Sequence, residues 1–137
     1  MEILLSFAQE REDIILYHML RNIDPEKIFW IDVGANDPVD ISVTKFFSCR
    51  GGHGINIEPQ RDLIEKLNQD RPKDLNLEVG VSNKRGTLKL HGHGSGASFD
   101  SENPYVKDAD TYDIPVMTLA EICEQYLIPP PPPVTLR

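Results

Sequence analysis

The chain is 137 residues long, enough for one core and too short for two ordinary domains, and its 39% hydrophobic and 26% charged residues describe a globular protein. A formal net charge of -8, with no basic stripe along the chain, excludes duplex nucleic acid and an anionic membrane surface as main partners.

At the N-terminus, "MEILLSFAQERED" has no basic flank and no small-residue cleavage site, so no signal peptide is expected, and no later stretch is long and apolar enough to span a bilayer. "EREDIILYHMLRNID" starts with acids and sets Ile14, Ile15, Leu16, Met19, Leu20 and Ile23 on a broad face, which predicts a helix closed at Asp24 and Pro25. Ile28 to Val33 is apolar except for Asp32, the pattern of a strand buried on both faces of a parallel sheet. "DISVTKFFSCRGG" reads as a second helix ending at paired glycines, "HGINIEP" as a second strand, and "QRDLIEKLNQDRP" as a third helix with Leu63, Ile64 and Leu67 on one side. "LNLEVGVSN" alternates Leu75, Leu77, Val79 and Val81 as one strand, and "TLKLHG" returns from the "NKRG" turn as another. His91 to Thr111 is a long loop, a kind of segment more often functional or mobile than idle. "YDIPVMTLAEICEQYL" is a strand entering a helix, with Thr118 and Glu121 spaced as a capping box. The prolines of "IPPPPPVTLR" favour an extended polyproline conformation, so the expected division is a domain over 1–128 and a disordered proline-rich tail over 129–137.

Strands alternating with helices imply crossover units. The expected fold class is therefore α/β, a doubly wound, mostly parallel sheet with helices on both faces. In such sheets ligands bind beyond the carboxyl ends of the strands. "FWIDVGAND" ends there: Gly34 allows a sharp turn and close backbone approach, and Asn36 and Asp37 bring polar groups to the mouth. Glu58, at the end of the next strand, is near the spacing at which an acid accepts hydrogen bonds from a ribose. Its two oxygens only accept, and a vicinal diol offers two donors. A G-x-G-x-x-G pattern for a pyrophosphate is absent, so an adenosine ligand without pyrophosphate, such as S-adenosylmethionine, fits better than NAD.

The blocks "SFAQEREDIIL", "IDVGANDPVDISVTKFF", "GINIEPQRDLIEKL" and "LEVGVSNKRGTLKL" together resemble the N-terminal part of the FkbM-type methyltransferase family, a branch of the Rossmann-like methyltransferases, over about Ser6 to Tyr126. The resemblance implies S-adenosylmethionine as cofactor and methylation of a hydroxyl on a small-molecule or glycan acceptor, a sugar or a secondary metabolite. It assigns Asp32, Gly34, Ala35 and Asn36 to the first cofactor motif, Glu58 to the ribose, and Val81 with Ser82 to the adenine edge. Gln9, Glu12 and Asp13 match an N-terminal motif that closes over the cofactor.

The chain departs from the family after "LAEICEQY", where such enzymes resume with a strand like "DFLKIDVEG". The expectation is a domain truncated before its fourth core strand, with the edge of Ile28 to Val33 left open to self-association. The competing expectation is a non-catalytic nucleoside-binding remnant, or an interaction module whose proline run meets an SH3-like or WW-like partner. No catalytic base is assigned: His91 and His93 are candidates by position, with a surface role as the plainer reading. No metal is expected, since His53, His91 and His93 lack a completing ligand set. The glycines of "GHGSGAS" would suit a phosphate but lack a lysine or a following helix, which favours a plain loop. Cys49 and Cys123 stand in no paired spacing, which points to a reducing, cytoplasmic setting, and Cys49 is expected half-buried on a helix.

Overall fold

The computed structural model describes residues 3–126, and the proline-rich tail expected over 129–137 lies outside them. Helix α1 spans Glu12–Met19. The segment before it is tied down by Asp13, whose buried carboxylate accepts from Ser6 Oγ at 2.7 Å and from the amides of Phe7, Ala8 and Ile14 at 2.7, 3.3 and 2.8 Å. Burial pushes this carboxyl up, but the four donors outweigh it and hold Asp13 below the usual carboxylate range.

Strands β1 (Phe29–Val33), β2 (His53–Ile57) and β3 (Leu75–Leu77) form a parallel sheet in that order, with Ile31 beside Ile55 and Ile55 beside Leu75. Helix α2 (Lys45–Ser48) lies between β1 and β2, and α3 (Arg61–Asp70) between β2 and β3. A second sheet has the order β4 (Gly80–Val81), β6 (Thr111–Met117), β5 (Gly86–His91), with β4 parallel and β5 antiparallel to β6. Helix α4 (Leu119–Gln125) then buries Ile122 against Ile55, Ile57, Leu77 and Val79. It starts with the expected capping box: Glu121 N donates to Thr118 Oγ1 at 3.1 Å and Thr118 N to Glu121 Oε2 at 2.8 Å. On the other side, Ile64 and Leu67 of α3 pack with Ala35. The architecture is thus mixed α/β, and among the described residues no helix is long and apolar enough to cross a membrane.

Four expectations are corrected. β1 has the open edge expected for Ile28 to Val33, but it is not buried on both faces: α4 covers β2 and β3, and Phe29, Ile31 and Val33 remain 47%, 37% and 51% exposed. The helix predicted over "DISVTKFFSCRGG" shrinks to four residues, because Asp37 accepts from the amides of Val39 and Asp40 and Ile41 turns to φ 52°, so local side-chain bonds displace the helical ladder. The alternating run "LNLEVGVSN" splits, with β3 pairing to β2 and β4 pairing to β6. Cys49, at the C-terminal end of α2, is exposed rather than half-buried.

Candidate functional site

The carboxyl ends of β1 and β2 finish side by side. Gly34 N and Ala35 N both donate to Ile57 O, at 2.8 and 3.1 Å, so the chain leaving β1 is stitched onto the last residue of β2. Gly34 takes φ 74°, a left-handed turn that a side chain would strain, and Asn36 follows at φ 53°, one of the residue types that tolerates it. These two turns aim Asn36 N at Glu58 Oε2, 2.9 Å away. Glu58 is only 2% exposed. Its other oxygen accepts from Gln60 N at 3.0 Å and from Gln60 Nε2 at 3.1 Å, so the carboxylate is oriented from both sides.

Above this junction lies a cavity of about 390 Å³. Gly34, Asn36 and Glu58 form one end, Val79, Gly80 and Val81 the opposite wall, and the 94–99 loop a third side. Gly80 gives way to the ring of Phe99: a Cβ there would come within 2.7 Å of Phe99 Cζ and 2.9 Å of Val116 Cγ1. Among the described residues the lining holds one charged side chain, Glu58, and no lysine or arginine. Such a surface offers acceptors to hydroxyl groups and apolar contact to a flat ring, and nothing to neutralise a phosphate.

The residues singled out from the sequence do not all meet. Gly34, Asn36, Glu58 and Val81 meet in the cavity, with Ala35 buried directly beneath its edge. Asp32 does not join them. It lies on the opposite face of the sheet, where its carboxylate accepts from Thr44 Oγ1 at 2.9 Å, and burial raises its pKa against the pull of Thr44 and Arg71. Arg71, 2% exposed, donates in turn to Thr44 Oγ1, Ser42 Oγ and Pro38 O. Asp32 is therefore a strut for the loop that follows Gly34. Ser82 donates its amide to Met117 O at 2.9 Å and stands beside the cavity without lining it. Gln9 borders a separate hollow near the N-terminus, Asp13 serves the fold as described, and Glu12 accepts from Glu10 N. His93 packs at a tilt of 56° against Tyr112, ring centroids 4.6 Å apart, while His91 bridges to Ser98 through its backbone; neither lines the cavity.

Sequence reasoning missed Gln60 and the part played by the 94–99 loop. Gln60 was legible as the polar residue just ahead of α3, but its partner lies 34 positions away, and no local pattern announces such a contact.

A family model described as the methyltransferase FkbM domain matches residues 32–131 of the chain. Neither a curated protein nor a solved structure matches it.

Proposed function

Because this chain belongs to the FkbM methyltransferase domain family, we propose that its cavity holds S-adenosylmethionine and that the domain methylates an oxygen of a hydroxylated small molecule or glycan, on a Rossmann-like, doubly wound frame. One observation carries the reading: a buried carboxylate, Glu58, fixed at the carboxyl end of β2 within hydrogen-bond reach of the turn that ends β1. The lining agrees with the cofactor's chemistry. Glu58 has an oxygen free to accept from a ribose hydroxyl, Val79, Val81, Leu90 and Phe99 suit an uncharged base, and the absence of a cation disfavours a pyrophosphate such as that of NAD.

When bound, the cofactor supplies an electrophilic methyl group on a sulfonium. The chain's own part is placement. Methyl transfer is an in-line displacement in which alignment supplies much of the catalysis, and here Gly34 and Asn36, stitched to Ile57 and Glu58, form a stiff floor for it. The Arg71 and Asp32 strut keeps the loop after Gly34 from moving away.

Calorimetric titration with S-adenosylhomocysteine and, separately, NAD tests the assignment. S-adenosylhomocysteine should bind and NAD should not. Glu58→Ala should weaken S-adenosylhomocysteine by about 1–3 kcal/mol, since hydrogen bonds to charged groups are the stronger kind. An unchanged affinity in that variant would remove Glu58 from the site and the reading with it.

A further inference from the structure

Gln60 spends its whole side chain on two partners that belong to different parts of the cavity. Its Nε2 donates to Glu58 Oε1 at 3.1 Å and to Gly94 O at 3.1 Å, and its Oε1 accepts from Gly94 N at 2.6 Å. The amide thus reads Gly94 as a strand neighbour would, through one donor and one acceptor. Gly94 itself sits at φ 67° at the start of the short 3-10 turn Gly94–Gly96, in a loop whose other bonds, His91 with Ser98 and Gly92 N to Asp110 O, tie it to itself and to the start of β6 and not to Glu58. Both Gln60 and Gly94 line the cavity, and Gln60 is 8% exposed.

The count of acceptor sites at Glu58 is equally telling. A carboxylate has about four lone-pair positions. Gln60 N and Nε2 take two on Oε1, and Asn36 N takes one on Oε2. One position remains, on Oε2.

We infer that Gln60 is a positioning residue that latches the 92–99 loop to Glu58 and restricts that acid to a single ribose hydroxyl. The inference rests on the nucleoside reading for its second half only. Seating of the loop and orientation of the acid are then coupled: a Gln60 side chain that swings away from both partners frees Gly94 and opens one acceptor position on Oε1, which the Gln60 amide still holds from the other side. A glutamate at this position would place a second carboxylate against Glu58 and lose the donor to Gly94 O, so the amide chemistry is specifically required.

Two measurements test this. In the ligand-free protein, amide hydrogen exchange at Gly94 should speed up about tenfold or more in Gln60→Ala and in the similarly sized Gln60→Met, because its acceptor is gone. Exchange at Gly94 that stays at the wild-type rate in the folded variants overturns the latch, whatever the cavity binds. In titrations with S-adenosylhomocysteine and its 2′-deoxy and 3′-deoxy analogues, the wild type should lose about tenfold on one analogue and less than about twofold on the other. In Gln60→Met both analogues should lose, since Oε1 becomes free to accept the second hydroxyl. A purely structural Gln60 would leave that pattern unchanged, and equal loss on both analogues in the wild type refutes the single-hydroxyl assignment. Failure of Glu58→Ala to alter binding would instead strike the nucleoside reading and leave the exchange result standing.

Discussion

On the face of the first sheet that carries Asp32, Asn56 and Asn76, the contacts are polar and shared among several elements. Asn56 accepts from Trp30 Nε1 at 3.0 Å and donates to Asp74 and Asn76 at 2.8 Å each, while Arg71 holds the 38–44 loop. On the opposite face Ile55, Ile57, Leu77 and Ile122 make an apolar core, and the cavity opens where that face runs out at the strand ends. Buried polar groups that share partners are costly to disturb, since removing one strands the others without water; among the buried side-chain atoms of the described residues, Arg71 Nε alone lacks a hydrogen bond, with Asp70 Oδ2 3.7 Å away. An apolar wall yields more gradually. The polar face therefore carries the shape of the site, and the apolar face carries its contacts.

Substitutions on the two faces should separate these roles. Arg71→Ala is expected to have the largest effect, a loss of about 3–5 kcal/mol in urea denaturation, because it leaves Asp32, Asp70 and Asp74 near an uncompensated hole. An intact stability would show that the polar face is not what holds the loop. Gly80→Ala should cost less, about 1–3 kcal/mol by overpacking, yet should damage binding of S-adenosylhomocysteine disproportionately, since the new methyl must displace the Phe99 ring. Equal losses in stability and binding free energy would deny the cavity wall its separate role.

The smallest effect is a pair of opposed pH dependences. Asp13 has a folded pKa below its ordinary 3.8, so its contribution is present above that value and is lost as pH falls through the folded pKa. Asp32 has a folded pKa above 3.8, so its contribution is present below 3.8 and is lost as pH rises through the folded pKa. Denaturation midpoints followed across the acid range should show Asp13→Asn losing stability at the upper end and Asp32→Asn gaining relative to wild type there, provided Thr44 keeps a partner. Shifts of the same sign in both variants would contradict these environments.

Much of this was legible in the chain. A continuous apolar run located β1, Leu63, Ile64 and Leu67 on one side located α3, and the spacing of Thr118 to Glu121 located the start of α4. Gly34 and Glu58 were legible as strand-end residues because backbone turns leave strong local marks. Three things were not. The open edge of Ile28 to Val33 was itself expected, but the bare face of β1 was not, because an apolar run looks the same whether or not a helix covers it. The orientation of Asp32 follows from the register of alternation, which a run apolar on both sides conceals. Gln60 and Gly94 meet only through tertiary folding.

The split of "LNLEVGVSN" has one more consequence. Residues 75–81 give their first half to one sheet and their second half to the other, with only Glu78 and Val79 between. The cavity straddles this seam, taking Ile57 from the first sheet and Leu90 from the second. The two walls of the chamber are accordingly joined by one unbroken stretch of backbone, and Val79 at the joint both lines the chamber and packs into the shared core with Ile57 and Ile122.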